Sequence, residues 1–540
     1  MTTYAYAFEA RSIQNYVFAG GKLRDIVAAS NLVDQLTDQI LLTTLDELGI
    51  TDDIRFSRRA GGAFYAISNN ETSIKNLASV WPLVVNGFAP NLEILTSLNH
   101  GENDYLAVRA ALAELKIKRN YPAPQLPTIP PIAQRAQRTG GGAIFGKYSI
   151  NGDTTEIVDL ATEQKRKFAI HGLEGNTLKD NLAEKFTPHG TTLVWPTALT
   201  AEDGIKAEKV LPLDDNRFMA VIHIDGNGLG QLLIALSEIA SRASEDYSKL
   251  YLSFSEAITQ ATQTAAREAV DKVLAPASNA TVAARPLILG GDDLTIIVAA
   301  SKAMEFSIAF INAFESHSAE KLESLKQQFS HHSSLCNALP KKLTACGGIA
   351  FVKSSYPFSS AAKLAEELCQ RSKQASEHRS DKAQPKPSSL SWHKVTTSSI
   401  ATADAIYNKE LATEVSGKSM TLSLGAYAVN EASGHLPKLT QLLNTVNFVK
   451  QAKKTGKLRK YAGELKTVPH QAQMLIERME ETDHSFIHEM SGQLKKLWQA
   501  KSGSVSYGIE FMFEDYAVSP LLDIVSLATL SDEKEQIDAN

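Results

Sequence analysis

The sequence predicts an α+β protein made of two related units and a helical tail. Two segments follow the same order of strand, helices and hairpin, and the hairpins turn at Gly61-Gly62 and at Gly290-Gly291. Paired glycines give a tight hairpin the backbone freedom that it needs. From about residue 405 onward, Leu, Val and Ala recur at helical spacing with few strand signals, which indicates a helical domain.

The first unit begins with the short strand YAYAFEA. It continues with amphipathic helices in SIQNYVFAGGKLRDIVAASNLVDQLTDQILLTTL. Its hairpin is IRFSRRAGGAFYAIS, in which the residues around the glycines favour strands. We assign residues 1–130 to this unit.

The second unit repeats this order at greater length. The strand FMAVIHID precedes a long helical stretch, and the hairpin ARPLILGGDDLTIIVAA follows. A helix around residues 302–328, the strand LTACGGIAFV, the helix SSAAKLAEELCQRSKQA and the strand LSWHKV complete a βαββαβ pattern. We assign residues 216–400 to this unit.

A proline-rich passage, YPAPQLPTIPPIAQRAQRTGGGAIFGKY, separates the two units. Because proline cannot propagate a long helix, we place the junction there. Residues 131–215 are therefore a connecting region, and residues 405–540 are the C-terminal helical domain.

Composition indicates a soluble, cytoplasmic protein. No apolar run approaches the ~18 residues of a membrane span, and the N-terminus lacks the pattern of a secretory signal. Three scattered cysteines suit a reducing cytosol and exclude a cysteine-built zinc site. The net charge of -5 argues against a wholly basic surface for nucleic acid. One local basic cluster, KQAKKTGKLRK, is either a solvated helix face or a surface for phosphate or an acidic partner.

Three carboxylates in the second unit indicate a metal site. Asp225 ends the apolar strand FMAVIHID, and Asp292 and Asp293 follow the glycines of the hairpin. If the two strands are neighbours, these acids converge and repel one another unless a cation neutralises them. Oxygen ligands of this kind suit Mg²⁺ or Mn²⁺, and two such ions support in-line phosphoryl chemistry. Alternatively, Gly-Gly-Asp-Asp is only a turn, since Asp and Gly dominate turns.

The segments FMAVIHIDGNGLG, LILGGDDLTIIV and ACGGIAFVKSSYPFSSAAKLAEELCQRSK together resemble the second palm domain of a known family. This family is the large, polymerase-like subunit of type III CRISPR effector complexes, which converts ATP to cyclic oligoadenylates. SIQNYVFAGGKLRDIVAASNLV resembles its first palm domain, and TGKLRKYAGEL resembles its C-terminal helical domain. GGDEF diguanylate cyclases and class III nucleotide cyclases are more distantly similar.

The resemblance implies two ferredoxin-like palm domains, ATP as substrate and a role for particular residues. Asp225, Asp292 and Asp293 are expected to be the catalytic, metal-binding acids. Lys373 is expected to reach phosphate oxygens, although an ordinary exposed lysine remains an alternative. Backbone contacts to nucleotide are expected at five glycines: Gly61, Gly62, Gly226, Gly290 and Gly291. Other effector subunits and guide or target RNA are expected to bind the C-terminal helical domain.

The sequence also departs from the family pattern. No His-Asp dipeptide occurs, so no HD nuclease activity is expected. The first hairpin reads Gly-Gly-Ala-Phe, which leaves that palm degenerate and limits it to nucleotide binding. IAQRAQRTGGGA resembles the family's zinc ribbon without its cysteines, and Asn227 stands where an acid is common. Two alternatives to a cyclic oligoadenylate synthase stay open: a non-catalytic nucleotide-binding scaffold, and a stand-alone cyclic nucleotide or dinucleotide synthase.

Overall fold

The computed structural model describes most of the chain, in two compact units. One unit comprises residues 1–211, 228–296 and 313–343, and the other comprises residues 212–227, 297–312 and 344–540. No helix within the described residues has the length and apolarity needed to cross a membrane. The described ranges are 2–121, 129–149, 155–171, 180–199, 207–240, 247–275, 280–377, 386–397, 401–415, 417–430, 435–498, 504–506, 509–512 and 516–530.

The first palm domain is a four-stranded antiparallel sheet covered by helices. Its strands lie in the order β2-β3-β1-β4, as expected for a ferredoxin-like βαββαβ fold. Phe8, Phe64 and Trp81 form its aromatic core, with the two phenylalanine rings stacked 5.2 Å apart. The elements are β1 (Thr3–Arg11), α1 (Ile13–Phe18), α2 (Leu23–Leu36), α3 (Gln39–Glu47), β2 (Arg55–Ala60), β3 (Ala63–Ser68), α4 (Glu71–Phe88), β4 (Glu93–Gly101) and α5 (Asp104–Lys118).

The connecting region contains a two-stranded antiparallel sheet and two helices. Its described helices and strands are β5 (Ala143–Ser149), β6 (Thr155–Asp159), α6 (Leu160–His171) and α7 (Asn181–Phe186). A buried ion-pair network joins this region to α2. Arg166 of α6 binds both Asp25 of α2 and Glu156 of β6.

The second palm domain has the order of elements that the sequence predicts. The strand before Asp225, both hairpin strands, the strand LTACGGIAFV and the following helix are all confirmed. Its elements are β7 (Phe218–Gly226), α8 (Leu229–Ala240), α9 (Tyr247–Ala269), β8 (Ala284–Gly290), β9 (Asp293–Ala299), α10 (Ala300–Gln328), α11 (Ser333–Ala338), β10 (Ala345–Lys353), α12 (Phe358–Glu377) and β11 (Ser389–Lys394).

The C-terminal region is helical, as predicted, but it also contains short strands. Its elements are α13 (Ala403–Ala405), β12 (Ala412–Val415), β13 (Lys418–Thr421), β14 (Tyr427–Ala428), α14 (Leu439–Gln451), α15 (Thr455–Thr467), α16 (Pro469–Thr482), α17 (His484–Leu497), β15 (Ser504–Ser506), β16 (Glu510–Met512), β17 (Tyr516–Val518) and α18 (Leu521–Ala528).

Two sheets involve these later strands. A six-stranded sheet has the order β14-β11-β10-β7-β9-β8, in which β10 is antiparallel to β7 and parallel to β11. A five-stranded sheet has the order β12-β13-β17-β16-β15. The sequence did not predict this second sheet, because its strands have only three or four residues and show no clear alternation. The α+β class and the palm fold are confirmed, and the domain boundaries stay a prediction.

Candidate functional site

Asp225 lies at the end of the buried strand β7. Residues 218–224 are buried, whereas the Asp225 side chain is 30% exposed. Asp225 lies opposite Cys346 in the register of β7 with β10. The backbone N–H of Asn227 donates to the Thr344 carbonyl over 2.8 Å, and its side-chain amide donates to the Thr344 hydroxyl over 3.1 Å. Asn227 therefore fixes the end of the strand without contributing a charge.

Lys373 of α12 forms an ion pair with Asp225. Its ammonium group donates to the Asp225 carboxylate and, over 3.1 Å, to the carbonyl of Gly226. The two opposite charges attract each other across this short contact. Lys373 is therefore held within the site by two contacts and is not an ordinary solvated lysine. Its contact with phosphate stays a prediction.

The helix α12 reaches Asp225 because it packs closely on β10. A Cβ atom at Gly348 would lie 2.0 Å from the carbonyl oxygen of Ala365 and 2.4 Å from the backbone nitrogen of Cys369. Backbone atoms cannot be approached so closely, so this position requires glycine. The Gly-Gly pair inside LTACGGIAFV was the available sequence signal for this contact.

His223 lies two residues before Asp225 and therefore shares its face of β7. Burial lowers the pKa of His223, while the charges of Asp225 and Glu366 act in the opposite direction. The imidazole is 6% exposed, and its lowered pKa keeps it neutral near pH 7. Asp225 thus has a buried, uncharged neighbour on the side of β7 from which Lys373 approaches.

The Gly-Gly-Asp-Asp hairpin lies against the hairpin of the first palm domain, and both hairpin turns belong to the same unit. Gly291 has a φ of 62°, and Gly61 and Gly62 have φ values of 61° and 72°, a region that favours glycine. A Cβ atom at Gly290 would lie 3.2 Å from the Cα atom of Gly61. Thr262 of α9 donates to the Gly291 carbonyl over 2.6 Å and so holds the turn.

A cavity of about 110 Å³ lies beside the paired hairpins. Asp293 lines it, together with three of the glycines that are predicted to contact nucleotide, Gly61, Gly62 and Gly290. Ligand pockets usually enclose about 300–1,000 Å³, so this cavity admits at most part of a nucleotide. Nucleotide contact at these glycines stays a prediction.

Helix α2 forms another wall of this cavity, through residues that were not predicted. Ser30 and Asp34 of α2 line it, and the Ser30 hydroxyl also donates to the carbonyl of Leu287 in β8. This bond ties the first palm domain to a strand of the second. Neither Ser30 nor Thr262 carried a sequence signal, because single hydroxyl residues on helices have no distinctive pattern.

The three predicted acids are divided between the two units. Asp292 and Asp293 are half-buried at the hairpin, in the unit that does not contain Asp225. In the sheet order, β7 is the neighbour of β9, which begins at Asp293. Within the described ranges, no group of three or more His, Cys, Asp or Glu side chains is arranged to hold a metal. The carboxylate oxygens nevertheless have the chemistry that Mg²⁺ and Mn²⁺ prefer.

Comparisons with known proteins agree with this fold. Residues 218–382 match the family model of the Cas10/Cmr2 second palm domain. A chain in the crystal structure of the Csm1-Csm4 cassette in complex with cA3 is similar, with a TM-score of 0.51 and 14% identity; the match covers 98% of this chain and 70% of that one. The cassette in complex with pppApA gives a TM-score of 0.51 and 12% identity, covering 98% and 69%. No curated protein matches.

The fold and the hairpins define a protein with paired palm domains. At these identities the similarity to the solved structures shows the fold, whereas the family model covers the segment with the candidate acids. Residues 218–382 match the Cas10/Cmr2 second palm domain, and the chain as a whole is similar in fold to a chain of the Csm1-Csm4 cassette. The family resemblance inferred from the sequence is therefore confirmed.

Proposed function

We propose that this protein is a nucleotidyltransferase that joins ATP molecules into cyclic oligoadenylate. It would act as the large subunit of a type III CRISPR-like effector in RNA-triggered antiviral defence. The observation that carries this proposal is the placement of Asp225 at the end of β7, whose neighbour in the sheet, β9, begins with Asp293. These acids lie within the segment that matches the second palm domain.

The chemistry is an in-line displacement at phosphorus. The 3′-hydroxyl of one nucleotide attacks the α-phosphate of another, a new P–O bond forms, the bond to the β-phosphate breaks, and pyrophosphate leaves. The hydroxyl proton would pass to solvent, since no protein base is evident among the described residues of the site. Asp225, Asp292 and Asp293 would hold two Mg²⁺ or Mn²⁺ ions, which supply charge stabilisation for the hydroxyl and the leaving group.

In this proposal, Lys373 would change partner when nucleotide binds. In the structure, its ammonium group neutralises Asp225. We propose that a cation bound at Asp225 takes over this neutralisation and that Lys373 then contacts phosphate oxygens. Gly226, Gly290 and Gly291 would contribute backbone groups, as would Gly61 and Gly62 of the degenerate first palm domain.

We also propose partners for the chain. The similar solved chains belong to Csm1-Csm4 cassettes, and two of these hold cA3 and pppApA. By analogy, this chain would bind other effector subunits, with guide or target RNA contacting the C-terminal helical domain.

The test is synthesis by the purified protein. Labelled ATP is incubated with Mg²⁺ or Mn²⁺, with and without RNA, and pyrophosphate and cyclic products are measured. The double substitution Asp292→Ala with Asp293→Ala is expected to lower synthesis at least about a hundredfold, because the charge stabilisation at the reacting phosphate is lost. Asp225→Asn is expected to have a similar effect.

A matched control is the double substitution Asp214→Ala with Asp215→Ala, which removes two exposed acids just before β7. It is expected to leave synthesis unchanged. Persistent synthesis by the hairpin variant contradicts the assignment of the acids. Nucleotide binding without any product supports the scaffold alternative, and synthesis that is unaffected by RNA or partner subunits supports the stand-alone alternative.

A further inference from the structure

A cavity of about 820 Å³ lies within the second of the two units, between the second palm domain and the C-terminal helices. It is lined by the start of β7, the end of β10, the end of β11, one face of α15 and the helix α18. Its volume falls within the range of about 300–1,000 Å³ that is usual for small-molecule sites. The proposed synthesis at the Gly-Gly-Asp-Asp hairpin assigns no role to it.

Four cationic side chains line this cavity. Lys353 and Lys394 have their ammonium groups 4.2 Å and 4.6 Å from the centre of the Phe218 ring. The others, Arg459 and Lys466, project from α15 on the helix face that also carries Ala462 and Gly463. Positive charges from separate elements therefore converge on one concave surface.

The acidic side chains that line the cavity, Glu410 and Asp523, already interact with other protein groups. Glu410 lies 3.7 Å from the His393 imidazole. Asp523 is buried and accepts hydrogen bonds from the Tyr427 hydroxyl and, over 2.9 Å, from the backbone N–H of Leu424. The cavity thus retains an excess of positive charge, which favours an anionic ligand.

The basic cluster of α15 separates into two groups. Lys454 and Lys457 both pair with Asp483. Among the described residues, neither Arg459 nor Lys466 forms an ion pair, although the charge of Glu410 acts on Lys466. Both side chains are exposed, so an anion in the cavity can reach both cations. Arg459 can also form paired hydrogen bonds to a phosphate group.

Aromatic and aliphatic side chains complete the cavity wall. Trp392 stacks on Tyr427 with ring centres 4.9 Å apart, and it lines the cavity together with Tyr356. Val395, Leu411 and Leu522 also contribute. A surface of this kind suits a planar aromatic ring, which stacks on aromatic side chains. Phosphate and ring together define a nucleotide.

We propose that this cavity binds a nucleoside 5′-phosphate, with phosphate at Arg459 and Lys466 and the base at Tyr356. A free mononucleotide and the 5′-phosphorylated end of an RNA share this chemistry. An acidic polypeptide is disfavoured, because it needs an extended surface rather than a single concave site. Binding of a nucleotide or RNA at this site would affect the second palm domain directly, since β7, β10 and β11 form part of the cavity wall.

Binding is tested on the full chain in EDTA, so that metal-dependent binding at the proposed catalytic acids does not contribute. A fluorescent N-methylanthraniloyl AMP is titrated by anisotropy, with AMP, inorganic phosphate and a 5′-phosphorylated RNA hexamer as competitors. Arg459→Glu and, separately, Lys466→Glu are each expected to weaken binding about tenfold or more, since each loses a charge-assisted hydrogen bond. Tighter competition by AMP identifies a free nucleotide, and tighter competition by the hexamer identifies an RNA end.

Lys460→Glu is the matched control, because Lys460 is exposed, follows Arg459 on α15 and does not line the cavity. It is expected to change affinity less than about twofold. Tyr356→Ala is expected to weaken nucleotide binding while leaving phosphate competition unchanged. The proposal is overturned if the wild-type protein binds no probe in EDTA, if Arg459→Glu and Lys460→Glu have equal effects, or if Tyr356→Ala weakens phosphate and nucleotide equally.

Discussion

The buried ion network between the first palm domain and the connecting region allows a quantitative prediction. Arg166 donates to both carboxylate oxygens of Asp25 over 2.8 Å and 2.7 Å, and to Glu156 over 2.9 Å. Burial acts to raise the pKa of Glu156, but Arg138, Arg166 and Lys22 outweigh it and lower the pKa to about 2. All of these residues belong to one unit.

The substitution Arg166→Met removes the cation and leaves Asp25 with an uncompensated charge. The Asp25 side chain is 1% exposed, so water cannot replace the lost partner. Breaking a buried pair in this way costs about 3–5 kcal/mol. Two cations remain near Asp25: Arg24, whose Nε atom lies 3.6 Å away, and Lys165, whose charge also interacts with Asp25. They recover only part of this loss. Because Asp25 lies in the first turn of α2, the helix that carries Ser30 is expected to loosen as well.

Thermal unfolding by calorimetry measures the effect. Arg166→Met is expected to lower the melting temperature of this unit by at least roughly 5 °C. The control Lys167→Met removes an exposed lysine whose pairing with Glu163 lies within one helix, and a change below about 0.5 kcal/mol is expected. Adding Asp25→Asn to Arg166→Met is expected to restore part of the stability. Equal melting temperatures for the Arg166 and Lys167 variants would refute the reasoning.

Three further predictions concern the other unit. Lys373→Met is expected to lower synthesis at least about tenfold if Lys373 contacts phosphate, whereas Lys373→Arg retains part of it; equal synthesis by both variants contradicts that role. Burial raises the pKa of Asp523 from 3.8 to about 6, so Asp523 makes a contribution to stability that is present at low pH and is lost as pH rises through 6. Asp523→Asn is therefore expected to gain stability relative to wild type between pH 4 and 7, by up to about 3 kcal/mol in urea unfolding; a pH-independent difference contradicts this. Gly348→Ala is expected to displace α12 and reduce both stability and synthesis, whereas Gly230→Ala, with open space at its Cβ, serves as the control for stability.

Regular, long elements were predictable from the sequence. The strand before Asp225, the helix near residues 302–328 and the helix that carries Lys373 have clear periodicity, and each is present. The sheet of the C-terminal region was missed, because its strands are short and pair over long distances. Ser419, for example, lies opposite Tyr516. Periodicity within a segment carries no information about such a partner.

The candidate site was predictable in its residues but not in its contacts. Glycines and acids at turns stand out in a sequence, which is why Asp225 and the Gly-Gly-Asp-Asp hairpin could be chosen. The ion pair of Lys373 with Asp225 depends on the close approach of α12 to Gly348, which is a property of packing. The cavity beside Arg459 depends in the same way on the relative placement of β7, β11 and α15 within one unit.

Both palm domains contain an ion pair between an acid of the first strand and a cation that follows the fourth strand. Glu9 near the end of β1 accepts hydrogen bonds from the Tyr65 hydroxyl over 2.9 Å and from the Arg119 guanidinium over 3.2 Å. Arg119 follows the first residue of α5 by fifteen residues, and Lys373 follows the first residue of α12 by the same interval. Each palm domain therefore pairs an acid of its first strand with a cation fifteen residues after the start of the helix that follows its fourth strand. Arg119 is the C-cap residue of α5, whereas Lys373 lies within α12.

The presence of this ion pair in both palm domains helps to distinguish residues with a structural role from residues with a catalytic role. Because the degenerate palm keeps the acid–cation pair, the pair alone does not indicate catalysis and is consistent with a role in holding the helix on the sheet. The domains differ at the hairpin: the second turn residue and the first residue of the following strand are Gly62 and Ala63 in the first domain, and Asp292 and Asp293 in the second. If the proposed synthesis occurs, Arg119→Met is expected to reduce stability without the loss of synthesis that follows Lys373→Met. The hairpin acids, rather than the shared ion pair, then set the second palm domain apart.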